Sequence, residues 1–151
     1  MEVFYEDMRT DAEYWSPGRT ITEADIVNFA ALTGDWFPLH VDEEYSKHTP
    51  YGTRIAHGLF GLALCEGLKL RIAEFTSVRY LASLYWNYKF TKPLLAGDTV
   101  RLHLRVASKR ETRTAERGIV VEYVRMLNQR DEVIGEGEHG LMIARRGAAS
   151  P

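Results

Sequence analysis

The hydrophobic positions of residues 20–32, TITEADIVNFAAL, recur at helical spacing and lie on one face. Thr22 and Asp25 have the spacing of a capping box, and Gly34 follows where a helix can end. These signals predict a short helix. Residues 35–52 lack a helical period and contain two prolines, so we expect a loop there.

A longer apolar segment runs from His57 to about Phe75, HGLFGLALCEGLKLRIAEF. It predicts a second helix of roughly 27 Å, because each helical residue adds about 1.5 Å. The first half of this segment is apolar nearly all the way round. We therefore expect the helix to be buried on most of its sides.

The second half of the chain changes to the patterns of β-strands. Residues 79–90 are rich in aromatic side chains, residues 100–106 alternate apolar and polar, and residues 119–127 are β-branched and apolar. A hairpin turn is predicted at residues 128–132, and residues 133–144 return as a strand that its three glycines should weaken. This segregation of helices and strands predicts an α+β fold, in which an antiparallel sheet curves around one long helix.

Composition is that of an ordinary globular protein, with 45% hydrophobic and 26% charged residues in a chain of 151. We predict one domain over residues 1–145 and a frayed tail over residues 146–151. A net charge of −2 without a Lys/Arg cluster argues against nucleic-acid binding. The longest uncharged apolar stretch is too short to span a bilayer, and the N-terminus lacks a signal-peptide pattern, so we expect a cytoplasmic protein.

An acid and an imidazole, Asp35 and His40, stand five residues apart in TGDWFPLHVD. This spacing separates two side chains by about 140° around a helix and puts them on opposite faces of a strand. Pro38 also pushes Phe37 toward an extended conformation. If the two groups cooperate, the segment has to curl and aim both at one point. The alternative is that Asp35 only makes an Asx turn and that His40 is a solvated loop histidine.

The stretches TGDWFPLH, RIAHGLFGLAL and KPLLAGDTV resemble the MaoC-like, or R-specific enoyl-CoA hydratase, family. The resemblance covers the chain from about residue 19 to about residue 144. It implies the hot-dog fold, in which an antiparallel sheet wraps around one long central helix. It also implies that Asp35 and His40 are the catalytic pair, and that the backbone N–H of Gly58 faces the thioester oxygen.

Two positions depart from the family pattern and bear on the substrate. Phe37 stands where the family has an asparagine, and Glu66 where some members have a small hydroxyl residue. A carboxylate within an apolar helix must be paired or protonated, so Glu66 either bonds a backbone group or lines the acyl pocket. His57 is grouped with the substrate-binding residues, and we expect it to be structural rather than a proton carrier. The bulk of Trp36, Phe37 and Leu59 favours short or branched acyl chains.

The family resemblance implies reversible hydration of a 2-enoyl thioester of coenzyme A or a carrier protein, with no metal or organic cofactor. A metal cluster of His40, His48, His57 and Asp42 fits no compact ligand motif. The resemblance also implies a homodimer, or a higher homo-oligomer, whose thioester arm runs between two protomers. Two alternatives stay open. One is a hot-dog thioesterase that uses Glu66 as its acid, and the other is a non-catalytic acyl-thioester binding subunit.

Overall fold

The computed structural model describes residues 2–147, and its helices and strands are segregated along the chain. The four helices are α1 (Glu23–Thr33), α2 (Pro38–Val41), α3 (Glu43–Lys47) and α4 (Gly58–Lys69). The six strands are β1 (Glu13–Trp15), β2 (Arg19–Thr20), β3 (Tyr80–Phe90), β4 (Thr99–Glu111), β5 (Arg117–Leu127) and β6 (Val133–Ala144). The α+β class predicted from the pattern is confirmed.

The strands form one antiparallel sheet in the order β1-β4-β5-β6-β3, with β2 paired to β4. Helix α4 packs on this sheet, and Phe60, Leu64 and Leu68 from the helix share one core with the inward-facing residues of the strands. Strand β3 ends the sheet and has a partner strand on one side only within residues 2–147. The sheet therefore has one edge at β3, and α4 is held in place by its packing on the sheet.

Helix α1 forms as its capping signals predict. The Thr22 hydroxyl accepts from the Asp25 backbone N–H, and the Asp25 carboxylate accepts from the Thr22 backbone N–H. At the other end Gly34 adopts a left-handed conformation with a φ of 77°, which a residue without Cβ reaches without strain. Asp35, the candidate acid, directly follows Gly34, so the end of α1 determines its position.

The prediction of one long helix from His57 to Phe75 is wrong at its C-terminal end. Helix α4 stops at Lys69, so it is about 18 Å long. The Ile72 N–H then bonds the Lys69 carbonyl in a tight turn, which brings Ile72 and Phe75 into the core as buried residues. Ile72 and Phe75 thus reach the core from a turn and a short 3-10 helix (Ala73–Phe75), and not from a continuation of α4.

Helix α4 is also less enclosed than its sequence predicts. Leu59 is 64% exposed, and Ala63 and Gly67 on the same side are exposed as well. The opposite side carries the core contacts of the helix. The Leu59 side of α4 is therefore open to solvent in the single chain.

The predicted loop over residues 35–52 contains two short helices instead. Pro38 takes the first position of α2, where its missing N–H removes no helical hydrogen bond. Phe37 before it is extended, as predicted, with a ψ of 134°. Asp42 then caps α3 by accepting from the Tyr45 N–H. Proline here begins a helix where we expected it to prevent one.

The glycines of β6 make room for aromatic side chains of β3. A Cβ at Gly140 would lie 2.1 Å from the Tyr85 ring, and a Cβ at Gly135 would lie 2.5 Å from the Tyr88 hydroxyl. The strand is continuous over 12 residues and pairs on both sides. The expected weakening of this strand is therefore offset by rings that cover the glycine backbone.

Two further predictions concern the chain ends and the membrane. Of the predicted frayed tail, residues 148–151 lie outside the described residues, whereas the Arg146 backbone N–H donates to Glu6 Oε2 at 3.1 Å. Within residues 2–147, no helix is both long enough and apolar enough to cross a membrane.

Candidate active site

Asp35 lies in the turn directly after α1 and is exposed. Its backbone N–H donates to Thr33 Oγ1 at 3.3 Å, and its Oδ1 accepts from the Phe37 N–H, also at 3.3 Å. The Asx turn considered from the sequence is therefore present, but its hydrogen bond is long. The second carboxylate oxygen, Oδ2, has no hydrogen-bond partner among residues 2–147 and is free for a ligand or water.

His40 is half-buried in α2, and its ring is held from one side. Its Nδ1 lies 2.8 Å from the carbonyl oxygen of Ile55. Because a carbonyl can only accept, Nδ1 carries the proton and donates this hydrogen bond. In the neutral ring, Nε2 then has no proton and is the nitrogen that can take one up; it can deliver a proton only after it has gained one.

His57 is buried directly against this pair. Its Nε2 donates to the backbone carbonyl of Asp35 at 2.9 Å. Its ring stacks on the His40 ring, with centroids 3.8 Å apart and an angle of 25° between the planes. The Phe29 ring also packs against His57, with its centroid 5.0 Å away and its plane tilted by 55°. One side-chain atom each from Asp35, His40 and His57 lies within 4.8 Å of the others, so the fold does bring the spaced acid and imidazole together.

Gly58 begins α4 beside these residues. No side chain caps this helix end, so the N–H groups of the first turn stay available, and the positive end of the helix dipole points outward. A cavity of about 340 Å³ opens at the same place. Its walls include Tyr51, His57, Gly58, Gly61, Tyr88 and Phe90. The Phe90 ring is so close that a Cβ at Gly58 would lie 3.1 Å from it.

Asp35, His40 and His57 are also the residues that could hold a metal ion, since their ligand atoms are close enough to share one. Each histidine already donates one ring nitrogen to a carbonyl, as metal-bound imidazoles commonly do. This set differs from the four residues weighed in the sequence, because His48 and Asp42 are not part of it. The same free atoms equally suit proton transfer, which needs no ion.

Of the predicted site residues, only His57 and Gly58 line the cavity. Asp35 and His40 adjoin it through the His57 ring, which contacts both. Phe37 and Glu66 do not line it. Phe37 is 52% exposed and meets the edges of the His40 and Tyr45 rings. Trp36 and Leu59 are exposed on the surface of the single chain. Glu66 lies two turns along α4 from the site, so the structure does not place it in this cavity.

Glu66 belongs instead to a cluster of charged side chains between α4 and the sheet, here called the Lys69 cluster. Lys69 Nζ lies 3.0 Å from Glu66 and 3.1 Å from Glu122. His139 Nδ1 lies 2.9 Å from Glu66 Oε1 and 3.7 Å from Glu122 Oε2, without an aligned hydrogen bond to either. Its Nε2 lies 2.7 Å from Ser83 Oγ. Lys69, Glu122 and His139 are fully buried. Glu66 accepts a hydrogen bond from Lys69 Nζ and lies within ion-pair distance of His139, rather than bonding a backbone group.

The Lys69 cluster shifts the protonation of its members. Burial alone would lower the pKa of His139, but the carboxylates of Glu122 and Glu66 outweigh it and hold that pKa above its usual value. Partial burial acts to raise the pKa of Glu66, yet His139 and Lys69 hold it below its usual value. These opposite shifts are those of paired charges, and they lie at the end of α4 away from the cavity.

The sequence did not identify several residues that build the site. No sequence motif marks the Ile55 carbonyl or the Phe29 ring as part of the site, because their roles depend on tertiary contacts alone. Tyr88 and Phe90 could have been found, since they are two residues apart on one strand and hence on one face.

Comparison with solved structures defines the class of protein. The structure matches the monoamine oxidase regulatory protein of Archaeoglobus fulgius with a TM-score of 0.88 and 28% identity, over 99% of this chain and 97% of that one. It matches the double hotdogfold protein Rv0216 of Mycobacterium tuberculosis with a TM-score of 0.80, over 99% of this chain and 46% of that one; at 16% identity this likeness concerns the fold alone. The protein is a hot-dog protein.

The sequence comparisons define the family. Residues 8–126 match the model of the MaoC like domain. The (R)-specific enoyl-CoA hydratase of Rhodospirillum rubrum is 31% identical over 145 residues, which cover 95% of this chain and 94% of that protein. The 3-hydroxybutyryl-CoA dehydratase of Methylorubrum extorquens is 30% identical, over 88% of this chain and 80% of that protein. The chain belongs to the MaoC-like family.

One further relative is much longer than this chain. The protein MaoC of Klebsiella aerogenes is 35% identical over 111 residues. The match covers 72% of this chain but only 31% of that protein. The shared unit is thus a MaoC-like domain that also occurs within larger proteins.

Proposed function

We propose that this protein catalyses the reversible addition of water to a 2-enoyl thioester, which gives a 3-hydroxyacyl thioester. The observation that carries the proposal is the meeting of Asp35 and His40 beside the uncapped start of α4 and an open cavity. The hydratase and dehydratase names of the two full-length relatives support the same reaction.

The proton transfers of this reaction need two groups at one place. Water loses a proton as it attacks C3 of the enoyl group, and C2 gains one. One of the two groups, His40 Nε2 or the free oxygen of Asp35, accepts the proton of the water. The other has to carry the proton that C2 receives, and the two groups exchange roles in the reverse dehydration. Each positioned acid or base contributes typically about 10²–10⁴ in rate.

The negative charge of the reaction develops on the thioester oxygen as C3 is attacked. The free N–H groups at the start of α4 can stabilise it, and Gly58 lets the oxygen approach the backbone. Donors of this kind contribute about 2.7–4 kcal/mol in enzymes where one has been removed. Because they are fixed by the helix, they need no reorganisation when the charge appears.

The size of the cavity favours a small acyl group. Ligand sites usually have volumes of about 300–1,000 Å³, and the cavity of about 340 Å³ lies near the lower limit. Its walls carry the Phe90 ring, Ile134 and Leu94, which suit an apolar chain. We therefore expect short enoyl thioesters to be preferred over long ones.

Neither alternative function has comparable support. A thioesterase that used Glu66 would need that carboxylate at the thioester, whereas Glu66 lies two turns along α4 from Gly58 and is paired with Lys69 and His139. A binding subunit would have no need for His40 Nε2 and an Asp35 oxygen without partners. Incubation with crotonyl-CoA separates the three functions. Hydration removes the enoyl absorbance, hydrolysis releases a free thiol, and a binding module does neither.

The Asp35→Asn variant tests the role of the acid. We expect turnover to fall about 10²-fold or more, because the amide keeps the shape but not the basicity. Affinity for a saturated acyl-CoA should change little, since that ligand has no reacting water. Asp42→Asn, a change at the exposed cap of α3, is the matched control and should keep its turnover. Equal turnover of Asp35→Asn and wild type would contradict the proposal.

The proposal includes a homodimer formed through the edge of the sheet. Within residues 2–147, strand β3 is paired on one side only and exposes Leu81, Leu84 and Tyr85, and α4 exposes Leu59. A second copy pairing with β3 would cover these side chains. Light scattering should give about twice the mass of the 17.3 kDa chain at micromolar concentration. A mass near that of one chain would contradict this arrangement.

A further inference from the structure

His57 contacts all three parts of the candidate active site. It donates to the Asp35 carbonyl, it stacks on the His40 ring, and it directly precedes Gly58 in the chain. We infer that His57 is a positioning residue of the proposed hydratase, which fixes the acid, the imidazole and the helix start relative to one another. This inference rests on the proposed function and assigns His57 a role beyond substrate binding.

The hydrogen bond at Nε2 acts on the backbone that carries the acid. Asp35 is exposed, and among residues 2–147 its side chain is held only by the long bond to the Phe37 N–H. The bond from His57 to the Asp35 carbonyl is shorter, at 2.9 Å, and comes from a ring that is only 3% exposed. His57 therefore anchors an otherwise weakly held residue to the start of α4.

The ring of His57 acts on the imidazole. His40 is held at Nδ1 by the Ile55 carbonyl, which leaves rotation about that bond open. Stacking at 3.8 Å restricts the remaining freedom, and the Phe29 ring packs against the His57 ring as well. With both contacts in place, the direction of His40 Nε2 is defined. A misplacement of about 1 Å in such a group can lower turnover about 10²-fold.

The other nitrogen of His57 shows that stability alone does not account for this residue. Nδ1 is buried and has no hydrogen-bond partner among residues 2–147. A buried polar atom without a partner is unfavourable, and a phenylalanine here would fill similar space without it. The one hydrogen bond that a phenylalanine would lose is the bond to Asp35. Function thus explains the histidine better than packing does.

Two substitutions separate the contacts of His57. His57→Phe keeps the ring on which His40 stacks but loses the bond to Asp35, whereas His57→Gln keeps an N–H donor but loses the stacked ring. We expect His57→Phe to lower kcat at least tenfold with KM within about threefold, and His57→Gln to recover part of that loss. His48→Phe, at an exposed histidine outside the site, is the control and should match wild type.

The double variant Asp35→Asn/His57→Phe tests whether His57 acts through the acid. Residues that work as a unit lose activity non-additively, so we expect the double variant to be no slower than Asp35→Asn alone by more than about threefold. A purely structural defect would multiply the two losses instead. Such multiplied losses would overturn the inference. A kcat of His57→Phe within twofold of wild type would also overturn it, and so would a loss confined to KM.

Hydrogen–deuterium exchange tests the same contact without turnover. Loss of the anchor should speed exchange in the segment from Gly34 to His40 in His57→Phe, and less so in His57→Gln. Unchanged exchange in His57→Phe would overturn the inference even in a protein that hydrates no enoyl thioester. Conversely, if wild type hydrates crotonyl-CoA and Asp35→Asn does not, the proposed function stands whatever the His57 variants show.

Discussion

The two ends of helix α4 hold polar side chains for different purposes. Near its start, Asp35 and His40 each keep one atom without a partner among residues 2–147 and contact His57, which lines an open cavity. Near its end, Lys69 and Glu122 are fully buried and face each other at 3.1 Å. Groups that react with a substrate need free atoms, whereas buried charges need partners. Partner count and exposure therefore distinguish the candidate site from the structural cluster.

The largest effect that we expect concerns stability and comes from the Lys69 cluster. Lys69→Met removes the cation between Glu66 and Glu122 and leaves Glu122 buried without an ion-pair partner closer than His139. Breaking a buried pair in this way destabilises a protein by about 3–5 kcal/mol. Urea denaturation at neutral pH should show this loss, while turnover of the folded fraction should persist.

The double variant Lys69→Met/Glu122→Leu is the control for that experiment. Replacing both charges by apolar side chains of similar volume is often close to neutral, so much of the lost stability should return. A loss below about 1 kcal/mol in Lys69→Met would mean that water reaches the cluster and weakens its charges.

The next effect concerns turnover and comes from the start of the helix. Gly58→Val adds a side chain that meets the Phe90 ring and blocks the approach of the thioester oxygen. We expect turnover to fall about 10²-fold, in line with the loss of one backbone donor. Gly67→Val is the matched control, because Gly67 lies in the same helix with open space around it. Near-normal turnover of Gly58→Val would mean that the oxygen binds elsewhere.

The two ends of α4 also differ in how far the sequence could predict them. Asp35, His40 and Gly58 lie in short motifs that identify the family and its site. The burial of Lys69 could not be foreseen, because a lysine in the last turn of a helix usually lies in water. Its partner Glu122 is 53 residues away in the chain, and no local pattern joins the two.

The fold shows the same division between local and distant information. Capping signals at Thr22 and Gly34 correctly bound α1, and alternation correctly identifies β4. The end of α4 at Lys69 was missed because Ile72 and Phe75 keep an apolar pattern that continues the helix. Only the position of the sheet decides that these two residues close the core from a turn.

A smaller effect is expected from Glu66→Gln, which lies between the two regions. Glu66 is partly exposed, so its ion pairs should contribute no more than about 1 kcal/mol to stability. Because its carboxylate lies outside the cavity, turnover with crotonyl-CoA should stay within about threefold of wild type. Complete loss of turnover in a folded Glu66→Gln, with Asp35→Asn still active, would favour the thioesterase alternative.

The smallest effect that we expect is the contribution of His139 to the pH dependence of the free energy of unfolding. Glu122 and Glu66 hold the pKa of His139 above its usual value, although burial and Lys69 oppose them. A histidine whose pKa is raised by folding stabilises the folded state fully at a pH below its unfolded pKa, where it is protonated in both states. This contribution is lost as the pH rises through the folded pKa. The free energy of unfolding should therefore fall from pH 6 toward higher pH in wild type. In His139→Gln, which keeps a donor toward Ser83 but cannot titrate, this part of the slope should disappear. The slope would instead persist unchanged if another group accounted for it.

The candidate site should be unaffected, because its residues make no contact with His139, and the ratio of turnover between His139→Gln and wild type should stay constant across the same range.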